Sequence, residues 1–200
     1  MINKFISKTV LNQFNKGAIS NYLFNDPYPY AVIPNILEDN FFLQARAKCE
    51  RLIHELTNIE GFEISHTYLN VPELLSVFCS PFFIKLIGKT FDLEVIRKRD
   101  QYPSLRVLPE GGNGLHIHND KEYIGNITVF LYLSDWKEGF GGEVGIYKKS
   151  DNHFVKVNQV QPLPNSLLMM PITDTVMYHD INPTAVGYLR KCAYFPISII

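Results

Sequence analysis

The sequence predicts an α+β fold in which N-terminal helices pack on one sheet of an antiparallel jelly roll. In the first hundred residues, apolar side chains recur at three- and four-residue steps, which is the spacing of amphipathic helices. After Leu105 the period shortens toward two, and turn residues separate short β-branched or aromatic runs. Such a series of short strands is typical of a two-sheet jelly roll or of another antiparallel barrel. We therefore expect a single domain over residues 1–200, with 1–100 as a helical support region and 101–200 as the jelly-roll core.

The elements of the first half follow from apolar spacing and from proline. Glu38–Leu56 reads as one amphipathic helix, with Asp39 available as a cap. Pro72–Phe78 reads as another, because the first turn of a helix accepts proline. Phe82–Ile87 forms a further apolar helical segment. Three prolines in Asp26–Pro34 exclude a helix there and indicate an extended edge segment.

The second half alternates between strands and turns rich in glycine and proline. The predicted strands are Leu105–Leu108, Leu115–Asn119, Ile127–Leu133, Val144–Tyr147, Phe154–Val157, Ser166–Met170, Val176–Ile181 and Leu189–Ile199. We expect the helices of the first half to lie along one of the sheets that these strands form.

Composition excludes several classes of function. Nineteen Lys and Arg against twenty Asp and Glu give a formal net charge of -1, which is unlike the basic surface of a general nucleic-acid binder or of a membrane-surface protein. The cysteines Cys49, Cys79 and Cys192 are far apart and odd in number, so neither a disulfide framework nor a structural zinc site is indicated. Lys4 and Lys8 interrupt the N-terminal apolar residues before a signal segment can form. We expect a cytoplasmic protein that is attached to no membrane and binds no nucleic acid.

One group of polar residues in the second half has the pattern of a metal site. Residues two apart on a strand point to the same face, so His118 and Asp120 can direct an imidazole and a carboxylate into one cavity. His179 is the obvious third ligand. Two histidines and one carboxylate on one face of a metal leave the opposite positions open, an arrangement that suits a non-haem Fe(II) oxygenase. His-x-Asp alone also arises often by chance.

An ordered series of motifs around this group resembles the prolyl-4-hydroxylase type of 2-oxoglutarate/Fe(II) oxygenases. The matching pieces are His118–Asp120, Thr128–Trp136, Gly141–Val144, Pro162–Leu167, His179 with Pro183, and Arg190–Cys192. The resemblance spans about Leu105 to Phe195. It implies that the jelly roll is a double-stranded β-helix and that residues 101–200 form its catalytic core.

The resemblance also implies a role for each matching residue. His118, Asp120 and His179 would bind Fe(II). Arg190 would pair with the distal carboxylate of 2-oxoglutarate, and the Tyr132 hydroxyl would assist it. The implied activity is that of an Fe(II)- and 2-oxoglutarate-dependent dioxygenase, with O2 as cosubstrate, that hydroxylates an unactivated C–H bond. Its substrate would be amino-acid-like, either a small molecule or a prolyl or other residue of a peptide or protein.

Three positions near this site need comment. Lys191 competes with Arg190 for the carboxylate, but neighbouring strand residues face opposite ways and the match favours Arg190. Cys192 stands where the family usually has serine, and Leu108 where several members have a tyrosine contact to 2-oxoglutarate. Cosubstrate binding would then depend on Arg190 and Tyr132. The substrate pocket would be edged by the loop Lys121–Asn126 and by the front-half segment 63–70.

Two other functions stay open on the sequence alone. A cupin-type metal enzyme would use His116, His118, Glu122 and His179, although the segment before His179 lacks the expected Pro-x-Gly and Arg190 would have no role. A non-catalytic jelly-roll binding module would need none of the ordered set. The specific substrate, the oligomeric state and the role of His116 are not determined by the sequence.

Overall fold

The computed structural model describes residues 4–58, 64–98, 100–151 and 153–200. Its α-helices are Lys8–Asn15 (α1), Asp39–Arg51 (α2), Pro72–Phe78 (α3) and Pro81–Phe91 (α4). Short 3₁₀ turns cover Ile19–Tyr22, Leu52–Glu55 and Lys121–Tyr123. The strands are Leu23–Phe24 (β1), Tyr30–Ile33 (β2), Thr57–Asn58 (β3), Ser65–Tyr68 (β4), Val95–Ile96 (β5), Ser104–Leu108 (β6), Leu115–His118 (β7), Asn126–Tyr132 (β8), Val144–Ser150 (β9), His153–Val160 (β10), Leu167–Ile172 (β11), Tyr178–Ile181 (β12) and Arg190–Ile199 (β13).

Two antiparallel sheets form the centre of the molecule. Within the described ranges, the larger sheet has nine strands in the order β1-β2-β11-β8-β13-β6-β4-β3, with β5 also paired to β13. The smaller sheet has four described strands in the order β10-β9-β12-β7. Buried side chains from both sheets, among them Tyr132, Ile146 and Leu168, form one core cluster between them. The arrangement is a two-layered jelly roll, as the sequence predicted.

The helices cover the outer face of the larger sheet. Alternation along β13 places Cys192 in the core between the sheets and Ala193 and Phe195 in the core beneath the helices. The rings of Phe78 in α3 and Phe195 stack with their centroids 4.5 Å apart. No single helix in the described ranges is long and apolar enough to span a membrane, and α3 and α4 pass that test only together, across a 46° bend.

The main differences from the sequence-based elements lie in the first half. The helix predicted over Glu38–Leu56 ends at Arg51 and continues as a 3₁₀ turn, a common way for the last turn of a helix to tighten. The edge segment predicted near Asp26–Pro34 contains β2, which pairs with β11. The strand β4, which apolar periodicity did not reveal, pairs with β6. The front of the chain therefore supplies strands to the larger sheet as well as helices.

Asn165 joins the front of the chain to the jelly roll. It has a left-handed backbone (φ +60), and its side chain is buried. The Asn165 Oδ1 accepts from the Leu37 backbone N–H at 3.0 Å, and its Nδ2 donates to the Leu37 carbonyl at 2.8 Å. Its own carbonyl accepts from Ile36 N–H and its N–H donates to the Tyr132 carbonyl. One amide side chain thus satisfies both backbone groups of a buried residue that is distant in sequence.

Replacing this side chain should destabilise the fold. We expect Asn165→Ala to lower the free energy of unfolding by about 2–4 kcal/mol, because both backbone groups of Leu37 lose their buried partner. Urea unfolding followed by circular dichroism measures this loss. Asn35→Ala is the matched control: Asn35 is also left-handed (φ 46), but it is exposed, and its side chain makes no hydrogen bond within the described part of the chain. A loss above about 1 kcal/mol in that control would show that backbone conformation, and not the Leu37 bonds, carries the effect.

Candidate active site

A cavity of about 790 Å³ opens between the two sheets. Side chains of β6, β8 and β13 line it from the larger sheet, and side chains of β7 and β12 line it from the smaller one. The turn Lys121–Tyr123 forms part of its rim. The cavity is therefore bounded by strands from both sheets of the jelly roll.

His118, Asp120 and His179 converge on one side of this cavity. Each offers one donor atom, and these three atoms lie within 4.8 Å of one another. The Nε2 atoms of His118 and His179 are 3.5 Å and 3.6 Å from the two oxygens of Asp120. Pairing of β7 with β12 sets His118 directly opposite His179. Pairing of β7 with β12 thus brings His118 and His179 together, and Asp120, two residues after His118, completes the set of predicted ligands.

Backbone carbonyls orient both imidazoles in the same way. The Nδ1 of His118 lies 2.7 Å from the His116 carbonyl, and the Nδ1 of His179 lies 3.1 Å from the Met177 carbonyl. When Nδ1–H donates to a carbonyl, the Nε2 lone pair is left free to face the cavity. Burial lowers the pKa of His179 below its usual range, and the carboxylate of Asp120 opposes this only in part. Two imidazoles whose Nε2 atoms lie beside a carboxylate fit the donor set that Fe(II) takes in oxygenases.

A register shift in the β7–β12 pair separates His116 from His118. Leu115 pairs with Ile181 and His118 with His179, so three steps along β7 match two along β12. Such a bulge turns the following side chain toward the other face. His118 consequently lines the cavity, while the exposed His116 does not.

The alternative cupin ligand set is therefore not assembled. Glu122 reaches the cavity rim, but neither Glu122 nor His116 belongs to the donor cluster found among the described residues. The carbonyl of His116, and not its imidazole, contacts the site, through the hydrogen bond that orients His118.

Arg190 is a buried cation at the cavity wall. Only 3% of its surface is exposed, and its Nε is buried without a hydrogen-bond partner. Its Nη2 donates to the Tyr132 hydroxyl at 3.4 Å, and no carboxylate in the described ranges pairs with it. A buried guanidinium with unused donors requires an anion to offset its desolvation. Lys191 faces the other way and donates to Glu50 at 2.5 Å, as strand alternation predicted.

The residues that depart from the family pattern give this end of the cavity an apolar character. Leu108 pairs with Arg190 across β6 and β13, and both line the cavity. Cys192 is buried beside them, and burial raises the pKa of its thiol, which therefore stays neutral. Burial likewise raises the pKa of Tyr132 to about 12, so its hydroxyl stays protonated. Tyr132 touches Arg190 and does not itself line the cavity.

The glycine turn at Gly141–Gly142 supports Arg190 from behind. A Cβ on Gly141 would lie 1.8 Å from the Pro183 carbonyl, and one on Gly142 would lie 2.7 Å from Cδ of Arg190. Both glycines have positive φ, at +73 and +75. Trp136 Nε1 donates to the Gly141 carbonyl at 3.0 Å. The sequence analysis placed Gly141–Val144 among the pieces that match the family pattern and did not predict the contact with Arg190.

Other cavity residues were also missed or only partly predicted. Of the two predicted pocket edges, Lys121, Glu122 and Tyr123 line the cavity, as does Ile64 from the front half. Glu63 lies outside the described residues. Arg106 of β6 lines the cavity as well, and only the strand that carries it was predicted.

Comparison with known proteins agrees with this geometry. Residues 103–195 match the model of the 2OG-Fe(II) oxygenase superfamily. The β-rich half of the chain is therefore similar to the 2OG-Fe(II) oxygenases. The resemblance to the prolyl-4-hydroxylase type drawn from the sequence motifs is thereby confirmed at the level of the family, and Fe(II), 2-oxoglutarate and O2 are the reactants that this family implies. No curated protein matches the sequence significantly.

Solved structures of this oxygenase fold superpose on most of the chain. A prolyl-4-hydroxylase from Pseudomonas putida has 15% identity and a TM-score of 0.66, covering 92% of this chain and 97% of its own. A prolyl hydroxylase from Trichoplax adhaerens, in complex with a hypoxia inducible factor peptide fragment, has 18% identity and a TM-score of 0.69, covering 97% and 94%. The epimerase SnoN from nogalamycin biosynthesis has 11% identity and a TM-score of 0.66, covering 94% and 83%. These similarities confirm the double-stranded β-helix fold.

Proposed function

We propose that the protein is a hydroxylase that uses Fe(II), 2-oxoglutarate and O2 to oxidise an unactivated C–H bond of an amino-acid-like substrate. One observation carries the proposal: the donor cluster of His118, Asp120 and His179 opens into the same cavity as the buried, unpaired guanidinium of Arg190. A cavity with both features can hold a metal and a dicarboxylate together.

In this proposal the three clustered residues hold the iron. His118 and His179 present Nε2 atoms whose orientation is fixed by the carbonyls of His116 and Met177. Asp120 supplies the negative charge that offsets part of the metal charge. Three protein ligands on one side leave the other coordination positions for the keto acid and for O2. Bound Fe(II) and 2-oxoglutarate supply the O2 activation needed to oxidise a C–H bond, which no side chain can provide.

Arg190 would hold the distal carboxylate of 2-oxoglutarate. Its planar guanidinium can form two parallel hydrogen bonds to a carboxylate, and its burial strengthens them. The Tyr132 hydroxyl positions the guanidinium and so acts through Arg190. Leu108 and Cys192 add neutral walls beside Arg190 at this end of the cavity.

The substrate proposal stays within two chemical forms, a free amino-acid-like molecule and a residue of a peptide. The peptide complex of the Trichoplax adhaerens enzyme supports the second, and the natural-product epimerase SnoN supports small molecules. The free cysteines Cys49, Cys79 and Cys192 support a cytoplasmic location.

Anaerobic titration with Fe(II) and then 2-oxoglutarate tests the metal assignment. The wild type should develop the weak visible charge-transfer band of a chelated keto acid. His118→Ala and Asp120→Ala should not, because each removes one of the clustered donors. His116→Ala keeps the carbonyl that orients His118, and its iron affinity should stay within about twofold.

Two other results of this titration would favour the two alternative functions, the cupin-type enzyme and the binding module. Loss of iron binding in His116→Ala together with retention in Asp120→Ala would favour the cupin ligand set. Absence of any metal binding by the wild type would favour a jelly-roll binding module.

Arg190→Met should weaken 2-oxoglutarate binding by roughly a hundredfold, since two charge-assisted hydrogen bonds are worth about 3 kcal/mol or more together. Isothermal titration calorimetry of the Fe(II)-loaded, anaerobic protein gives the Kd. Lys191→Met is the matched control, because Lys191 pairs with Glu50 on the opposite face of the same strand. If both variants weaken binding equally, Arg190 does not hold the carboxylate.

The glycine behind Arg190 provides a second test of its position. Gly142→Ala should weaken 2-oxoglutarate binding at least about tenfold, because the added methyl group must displace the Arg190 side chain. Gly139→Ala is the control: Gly139 has a similar φ of +85, but a Cβ there meets open space. Calorimetry of both variants separates displacement of Arg190 from backbone strain, and equal Kd values in the two would exclude the displacement.

A further inference from the structure

A second arginine faces the cavity. Arg106 lies on β6 two residues before Leu108, and its Cα pairs with that of Cys192, as the Cα of Leu108 pairs with that of Arg190. Arg106, Leu108, Cys192 and Arg190 all line the cavity. The larger sheet therefore presents two guanidinium groups to the space beside the iron ligands.

The two guanidinium groups point to different parts of the cavity. Arg190 contacts Tyr132, with its guanidinium carbon 5.1 Å from the ring centroid. Arg106 instead stacks on Tyr194, with its guanidinium carbon 3.7 Å from that ring centroid. In the pairing of β8 with β13, Tyr132 lies opposite Cys192 and Phe130 lies opposite Tyr194. The two arginine–tyrosine contacts are therefore two residues apart along the ladder, on the same face of the sheet. A step of two residues along a strand is about 6.6 Å. This distance is larger than the spacing of the two oxygens of a carboxylate, so a single carboxylate cannot bind at both positions.

Arg106 has no anion of its own. Its Nε is buried without a hydrogen-bond partner, and no carboxylate in the described ranges forms an ion pair with it. Arg46 shows the contrast, since both its terminal nitrogens donate to Asp135 at 2.7 Å and 2.6 Å. Phe130, at 5.8 Å, adds a second ring on the same side of the cavity.

A guanidinium held in this way suits recognition of a carboxylate. Stacking on the Tyr194 ring fixes its plane while leaving its edge available for donation. Parallel N–H donors on that edge match the two oxygens of a carboxylate. Since 2-oxoglutarate would occupy Arg190 in the proposed function, Arg106 is left as the guanidinium in the cavity lining that can receive an anion from the substrate.

We infer that Arg106, held by Tyr194, binds a carboxylate of the substrate. The inference rests on the proposed function and narrows it: the substrate is a carboxylic acid, either a free amino-acid-like molecule or a peptide with an acidic side chain. Arg106 is then a specificity-determining residue, distinct from the iron ligands and from the arginine that holds the cosubstrate.

Matched acids and amides test the inference. The anaerobic protein loaded with Fe(II) and 2-oxoglutarate is titrated calorimetrically with the common L-amino acids and with their carboxamides. A third arm contains N-acetyl aspartate amide and N-acetyl glutamate amide, whose only carboxylate is on the side chain. We expect at least one acid to bind at least about tenfold more tightly than its amide, or binding in the third arm when the source is a peptide side chain.

Variants assign the preference to Arg106. Arg106→Met keeps an apolar side chain against Tyr194 and should abolish the difference between acid and amide, whereas Arg106→Lys should keep part of it. Lys148→Met is the control for loss of a positive charge alone, because Lys148 is exposed and lies outside the residues that line the cavity. It should leave the preference unchanged.

The outcomes separate this inference from the proposed function. The charge-transfer band of bound 2-oxoglutarate is recorded in every sample, and its presence in Arg106→Met shows that the variant is folded and loaded. If the band forms but acids never bind better than amides, or if Arg106→Met keeps the preference, the inference fails while the proposed function stands. Absence of the band in the wild type overturns both.

Discussion

Pairing of β7 with β12 is the constraint on which the site depends. These strands are distant in sequence, and their register sets His118 opposite His179. The extra residue on β7 decides which histidine enters the cavity, because it turns His118 inward and leaves His116 exposed. Asp120 then closes the cluster from the end of the strand. A change of one residue in this register would exchange the faces of the side chains and dismantle the donor set.

Electrostatics explains why the remainder of the cavity is arranged as it is. Arg190 is almost fully buried, and the described structure provides it with a phenol but no counterion. The free energy of desolvating such a cation is recovered only when an anion binds. The neutral Cys192 thiol and Leu108 do not compete for that anion. The folded protein therefore carries a buried, unpaired positive charge at Arg190 that favours the binding of an anion.

Much of the fold could be predicted from the sequence because it depends on short-range periodicity, and all three members of the donor cluster were predicted ligands. The predicted strands from Leu105 onward all correspond to observed strands within a few residues at their ends. Strand alternation correctly predicted that the side chains of Arg190 and Lys191 face opposite sides of β13. The bulge in β7 could not be predicted, because it is defined by the pairing with β12 and no residue type around His116 indicates it. Arg106 was missed for a related reason: its unpaired state depends on Tyr194 and on the absence of an ion pair, which only the folded structure reveals.

Lys191 connects the cavity to the helical layer. While Arg190 faces the cavity, its neighbour pairs with Glu50 of α2 on the opposite side of β13. Phe195 of the same strand stacks on Phe78 of α3, and β2 and β4 extend the larger sheet on either side. All four of these supports lie outside residues 103–195, the region that matches the family model. Cutting the protein down to the family-matching region would therefore remove the ring that stacks on Phe195, the carboxylate that pairs with Lys191 and two strands that flank the larger sheet.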